Sequence, residues 1–347
     1  MTPRRLSACL VLVAALLAPG LARAQTKELF LFNWSNYTPP EMLKRFEAET
    51  GIAVHLDVYG SNDALLAKLQ AGGSGYDVIV PTGSTLRRLI DAGKVQKFDA
   101  SSLPNFKNIR APFDKPSFDP TRGYSVPYMW GTTGFAYDTA KAGKLDDSWK
   151  ALFEPSPAFV GGIGMLDETA SVWNAAAYYL AIDPCTTSGE DAQKILDLLQ
   201  KQKPDVKLYA GGGSIDRLVS GETPMHMTYN GAAHRAHMKK PSIVYVYPRE
   251  GLAVWGDNFA IPVGAPHPEN AKIFLNWMMD PKNAAEASNF TGYNNTIAGS
   301  DQYLAPALRD DPAVNMPPDY AARLREDRVC PQASIDLRER VWTRLMR

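Results

Sequence analysis

The residues able to do chemistry in this chain are few and scattered. His234 and His237 lie three apart near the start of a predicted helix, with His226 a few residues earlier. Imidazoles at that spacing can ligate zinc or copper. No cysteine or further histidine completes a ligand set, and Arg235, Lys239 and Lys240 surround the pair. Solvated histidines on a basic face are therefore expected, and no metal. Gly211-Gly212-Gly213-Ser214 opens another helix, where backbone N–H groups can cradle an anion. The turn lacks the Lys-Ser/Thr ending of a phosphate loop, so a plain turn is expected. The chain has no G-x-S-x-G elbow and no H-E-x-x-H helix. No spacing of Ser, His and Asp nominates a triad. Neither an enzyme nor a cofactor is expected.

The chain has 347 residues, 45% of them hydrophobic and 21% charged, which argues for a folded core and against disorder. Lysine and arginine together number 37, as do aspartate and glutamate, and no dense basic tract occurs. That balance argues against a nucleic-acid partner. The first 24 residues stand apart. Arg4 and Arg5 precede an apolar run, Leu10 to Leu17, and Ala22-Arg23-Ala24 forms a small-x-small site before Gln25. This pattern predicts a secretory signal peptide over 1–24, cleaved after Ala24, and too short for a membrane span. Cys9 precedes the apolar run, so lipidation is not expected. The mature chain carries 34 bases against 37 acids, a net charge of −3. A soluble, exported, periplasmic monomer is expected.

Removal of Cys9 leaves Cys185 and Cys330. An even pair in an oxidising compartment suggests a disulfide. It would close a loop of about 145 residues, worth roughly 4–5 kcal/mol in the chain-entropy model. Two separate thiols remain the alternative.

The elements that must position these residues alternate strand and helix. Glu28–Asn33 reads as a buried strand. Thr38-Pro39-Pro40-Glu41 has capping-box spacing before a helix that ends at Gly51. Residues 52–58 read as a strand, Leu65, Leu66 and Leu69 as a helix ended by Gly72-Gly73, and 77–80 as a strand. Ser84 is placed to cap a helix through Ile90. This β-α-β-α-β-α order predicts parallel strands with right-handed crossovers. Ligands bind at the carboxyl ends of such strands, so Trp34 and Ser84 should face one crevice. A second α/β series follows Pro127, with strands at 134–137, 163–166, 206–209, 225–229 and 243–247. Residues 259–262 read as a return to the first series, and the tail as helical. The expected division is a first lobe at 25–131, a second at 132–250, a return segment at 251–300, and a C-terminal helical segment at 301–347. Two α/β lobes joined by crossings imply a cleft that closes on a small ligand.

Several motifs occur in a fixed order: Asn33-Trp34-Ser35-Asn36-Tyr37, Tyr76-Asp77-Val78-Ile79-Val80-Pro81, Val126-Pro127-Tyr128-Met129-Trp130-Gly131, Glu250-Gly251, and Asp257-Asn258-Phe259-Ala260-Ile261-Pro262. As a set they resemble the periplasmic polyamine-binding proteins of ABC importers, closest to the putrescine type. The resemblance implies an α/β type II periplasmic binding fold, with the ligand cleft between two hinged lobes, a small amine ligand, and an inner-membrane ABC permease as partner. It further implies an aromatic box of Trp34, Tyr37, Tyr229, Trp255 and Tyr293 around the ligand's methylenes, with Tyr229 where the family usually has Trp. Ser35 and Ser84 match hydrogen-bonding positions, Asp257 the main amine-binding carboxylate, and Glu168 an acid of spermidine-type members. Asn36, Ser171 and Ala232 stand where putrescine binders carry acids.

A diamine brings about two positive charges at pH 7. Closing a dry cleft on an unpartnered ammonium costs several kcal/mol, whereas each aromatic face returns about 0.5–2 kcal/mol. The resemblance implies capture of putrescine, spermidine or a related amine; with acids missing at three positions, the alternative is a ligand with one strong cationic end: a monoamine, an acyl-polyamine or an opine-like amino compound. A receptor-coupled amine sensor would use the same closure.

Overall fold

The computed structural model describes residues 27–71 and 75–347. The expected signal peptide and the Gly72-Gly73 helix stop lie outside them. The described strands are β1 (Glu28–Trp34), β2 (Ala53–Tyr59), β3 (Val78–Ile79), β4 (Ser125–Asp138), β5 (Ile163–Met165), β6 (Val206–Tyr209), β7 (Met225–Tyr229), β8 (Ile243–Val246), β9 (Leu252–Ala260), β10 (Asn294–Asn295) and β11 (Leu324–Glu326). They form one curled, mixed sheet in the order β2-β1-β3-β9-β4-β7-β5-β6, with β8 and β10 also on β4 and β11 on β9.

β1 pairs in parallel with both β2 and β3, as the alternating pattern requires. The helix Pro40–Thr50 between β1 and β2 buries Met42 and Phe46 and places Pro40 where a missing N–H costs little. It ends at Gly51, whose φ of 70° is open to glycine at low cost. The expected capping box does not form. Pro39 occupies the cap position, and Thr38 Oγ1 instead accepts a 2.8 Å bond from Asn33 Nδ2. Ser84 is likewise no cap. Thr82 holds that position before the helix Gly83–Asp91, which frees the Ser84 hydroxyl.

β4 is the strand that joins the two series. Its first part pairs antiparallel with β9 and its last part with β7 and β8. The pattern at 134–137 is only the end of this strand, and β9 starts at Leu252, ahead of the pattern read at 259–262. One apolar core gathers around Val126, Tyr128, Phe259 and Phe274, and another around Phe135, Trp149, Trp173 and Leu252. β4 contributes to both. The helices Thr169–Tyr179 and Gly189–Gln202 cover the second core, and Pro268–Met278 and Pro281–Thr291 the first.

The tail is not purely helical. β11 adds to β9 in parallel, with Leu324 opposite Leu252 and Glu326 opposite Val254, before the helix Gln332–Met346. Upstream of it, Ala313 O accepts from Asn230 Nδ2 (3.1 Å) and Tyr247 Oη (2.6 Å), and Val314 O from Asn294 Nδ2 (2.8 Å). Cys185 and Cys330 are bonded, with Cα atoms 5.1 Å apart.

Two of the three histidines expected to be solvated are buried, and the third is half-buried and bonded to the backbone. His226 on β7 is fully buried, which pushes its imidazole down to about 4. His234 Nδ1 lies 2.6 Å from Asp311 Oδ2, and His237 Nδ1 lies 2.8 Å from Ile243 O. Packing against β4 and the tail, which local spacing does not reveal, explains the difference. Among the described residues no group of three or more His, Cys, Asp and Glu could hold a metal, and no helix is long and apolar enough to cross a membrane.

Candidate functional site

A cavity of about 510 Å³ opens between the two cores. All eleven residues singled out from the sequence line it: Trp34, Ser35, Asn36, Tyr37, Ser84, Glu168, Ser171, Tyr229, Trp255, Asp257 and Tyr293. Trp34 ends β1 and Ser84 lies in the first turn of the helix after β3, so both reach it from the carboxyl ends of parallel strands. Asn36 adopts φ 57°, a left-handed conformation that asparagine tolerates better than most residues, and turns the chain so that Tyr37 points inward.

The aromatic rings form a connected wall. Tyr37 and Tyr293 lie 5.6 Å apart, Tyr293 and Trp255 5.2 Å, and Trp255 and Tyr229 5.7 Å, the last two pairs edge to face. Two glycines make room for it. A Cβ on Gly231 would meet Tyr293 Cδ1 at 2.4 Å, and one on Gly131 would meet Trp255 Cζ2 at 2.7 Å. Trp34 is fixed by Nε1 donating to Val80 O at 2.9 Å.

Asp257 is 3% exposed. Its Oδ2 accepts a 2.6 Å hydrogen bond from the Tyr37 hydroxyl, and its buried Oδ1 has no partner. Burial pushes this carboxyl up to about 7, against the Tyr37 hydrogen bond and assisted by the charge of Glu168. Burial and the Asp257 charge hold the Tyr37 hydroxyl far above its ordinary range, so it remains a donor. Glu168 Oε2 accepts from Ser171 Oγ and, at 3.2 Å, from Tyr229 Oη. Its pKa is raised by burial, opposed by the Ser171 bond, with the charges of Asp327 and Asp63 adding to the rise.

Sequence reasoning missed Asp327. It follows β11, lines the same cavity, and accepts a 2.6 Å bond from Ser84 Oγ. Burial raises its pKa against that hydrogen bond and the nearby Arg338. Nothing in the local pattern signals it, because its place depends on parallel pairing to β9, some 70 residues earlier. Asp327 adds a carboxylate beside Asp257 and Glu168, on a lining that also carries the exposed Asp63, Asp167 and Asp216, despite Asn36, Ser171 and Ala232. No lysine, arginine or histidine lies within ion-pair distance of Asp257, Glu168 or Asp327 among the described residues. The glycine turn also reaches the cavity, but Gly211 N donates 2.9 Å to Asp167 Oδ1, which uses it internally.

The site therefore offers the carboxyl groups of Asp257, Glu168 and Asp327 outside any ion pair, the unpartnered Asp257 Oδ1 and a wall of π faces, with Arg88, Arg235, Lys239, Arg328 and Arg338 elsewhere on the same lining. Such an environment favours a positively charged guest with an apolar body.

A putrescine-binding periplasmic protein of Pseudomonas aeruginosa is 34% identical over 94% of this chain and 94% of its own. A spermidine/putrescine-binding periplasmic protein of Escherichia coli is 31% identical over 87% of each. A solved structure described as a putative spermidine/putrescine ABC transporter from Listeria monocytogenes superposes with a TM-score of 0.87 at 27% identity, covering 92% of this chain and 99% of that one. The fold is the type II fold of periplasmic solute-binding proteins. Residues 41–318 match the profile of one family, and with the curled sheet and the cavity between its two cores the chain belongs to the bacterial extracellular solute-binding proteins.

Proposed function

We propose that this protein captures a polyamine-class cation and delivers it to an inner-membrane ABC permease. One observation carries the reading: Asp257, Glu168 and Asp327 face a single aromatic cavity, and none is paired with a basic side chain. Three carboxyls that repel one another and make no ion pair within the protein, with Arg338 near Asp327 alone, are satisfied by ammonium groups. Asp327 and Glu168 supply acidity away from Asp257, so a ligand with two cationic ends fits better than the single-ended one suggested by Asn36, Ser171 and Ala232. Trp34, Tyr37, Tyr229, Trp255 and Tyr293 take the methylenes, and Ser35, Ser84 and Ser171 orient the polar groups.

The two cores are read as two lobes, with β4 and β9 as crossings about which they close. In this reading the protein works as a periplasmic monomer after loss of residues 1–24. A second reading, an amine that also bears a carbonyl or hydroxyl acceptor, is favoured by Trp255 Nε1, a buried donor without a partner.

Unfolded-and-refolded mature protein, freed of carried ligand, decides between them in a thermal-shift and calorimetric panel. The panel contains putrescine, spermidine, butylamine, acyl-polyamines and opines. A diamine should raise the melting temperature with its concentration. Absence of any shift with the diamines defeats the first reading, and a shift confined to acceptor-bearing amines selects the second.

A further inference from the structure

The stretch after β11 is held at both ends. On one side, Leu324–Glu326 pairs with β9. On the other, Cys330 is bonded to Cys185 in the turn that follows the helix Thr169–Tyr179, and Arg328 pairs with Asp183 of the same turn. Asp327 lies between these anchors and reaches across to Ser84 of the first series. Asp327, Arg328, Val329 and Cys330 all line the cavity. Without the disulfide, the near anchor on the far side is Arg328–Asp183, an exposed ion pair of the kind that contributes little.

We propose that the Cys185–Cys330 disulfide is a positioning element for the ligand cavity: it holds Asp327 in the wall, so that preference for dications depends on the oxidised state. The inference rests on the reading of the cavity as an amine site. A cross-link across a long loop restricts the unfolded chain wherever it sits. This one also leaves only Arg328 and Val329 between a cavity carboxylate and a covalent anchor, which ties the carboxylate's freedom to the bond. Reduction by an external dithiol proceeds by two exchanges. The dithiol is oxidised to its cyclic disulfide, and Cys185 and Cys330 each end as a thiol.

The experiment compares putrescine with n-butylamine on the mature protein, by calorimetry. The samples are oxidised wild type, wild type reduced with dithiothreitol, C185S/C330S, Asp327→Asn, and the three substitutions combined. Loss of a positioned carboxylate lowers putrescine affinity about tenfold or more. Reduction and C185S/C330S should both do this, with butylamine changed less than about twofold. Asp327→Asn should match them, and the combined variant should lose no more. Equal losses for both amines, or an unchanged putrescine affinity on reduction or in Asp327→Asn, overturn the positioning role. If C185S/C330S does not fold, reduction of the folded wild type gives the same comparison. Failure of oxidised wild type to bind either amine sinks the amine-site reading itself, and this inference with it. That result is distinct from binding that ignores the redox state.

Discussion

Tyr37 and Asp257, 220 residues apart in sequence, meet through a 2.6 Å hydrogen bond that occupies one carboxylate oxygen and leaves the other unpaired in the cavity wall. The phenol fixes the orientation of the acid without neutralising it. An acid oriented in this way loses little further freedom when an ammonium arrives, which is the general advantage of preorganisation.

Asp257→Ala should weaken amine binding by about 2–5 kcal/mol, because the ammonium would then be buried without its partner. Asp257→Asn keeps the shape and the Tyr37 contact and should still lose most of the affinity, since the charge is what the ligand needs. Titration calorimetry of both variants measures this, and an unchanged affinity in either removes Asp257 from the site.

Binding should couple to pH. With Asp257 pushed up to about 7 by burial, a cation that requires the ionised form must displace a proton below that pH. Affinity should therefore climb from about pH 5 to 8 and fall again only as the amine itself deprotonates near 10. Calorimetry in buffers of differing ionisation enthalpy should register proton release at pH 6 and little at pH 8.5. Ligand-free stability has the opposite slope. The native carboxyl holds its proton in a window where the unfolded one, with a pKa near 4, has lost it, so this group makes the empty protein less stable as pH rises from about 4 to 7. Denaturant melts with and without ligand across that range separate the two effects.

Local pattern was enough to place the first three parallel strands, and Trp34 and Ser84 on one crevice. The remaining nine cavity positions came from the resemblance of ordered motifs and not from periodicity. What stayed hidden depends on long-range pairing. Residues 125–133 of β4 are buried but interrupted by Pro127 and Gly131, so they do not read as a strand. β11 is three residues long and carries no pattern of its own, yet it carries Asp327 to the cavity. His226 and His234 read as surface residues beside Arg235 and Lys239 until β4, β5 and the tail are packed over them.

Gly231→Ala tests the wall. The added methyl group would meet the Tyr293 ring at 2.4 Å, too close for either to stay. Overpacking of this kind costs about 1–3 kcal/mol. Because Tyr293 touches both Tyr37 and Trp255, amine affinity should fall along with stability. Chemical denaturation and amine titration of one preparation give both numbers, and full affinity would mean that the ring is not part of the binding surface.

The tail is held against the second series by Asp311 and His234, a pair with little solvent exposure. Burial alone would raise the Asp311 carboxyl. The His234 hydrogen bond, the Ala313 N–H and the charges of His234 and His237 outweigh it and hold the group below the usual range. A carboxyl depressed in the native state stabilises it above the unfolded pKa, near 4, and that contribution disappears as pH falls through the native value. Removing the Asp311 acceptor leaves the His234 ring and the Ala313 N–H without their partner, at about 1–3 kcal/mol for each buried group, so Asp311→Ala should be destabilised at neutral pH. The difference from wild type should narrow in acid, where both carry no charge at this position. Because the next residues, Ala313 and Val314, accept bonds from Asn230, Tyr247 and Asn294, the loss should loosen both series together. Urea melts at pH 7 and pH 3 check this. An equal difference at the two pH values would show that packing, and not the ionised carboxylate, holds the tail in place.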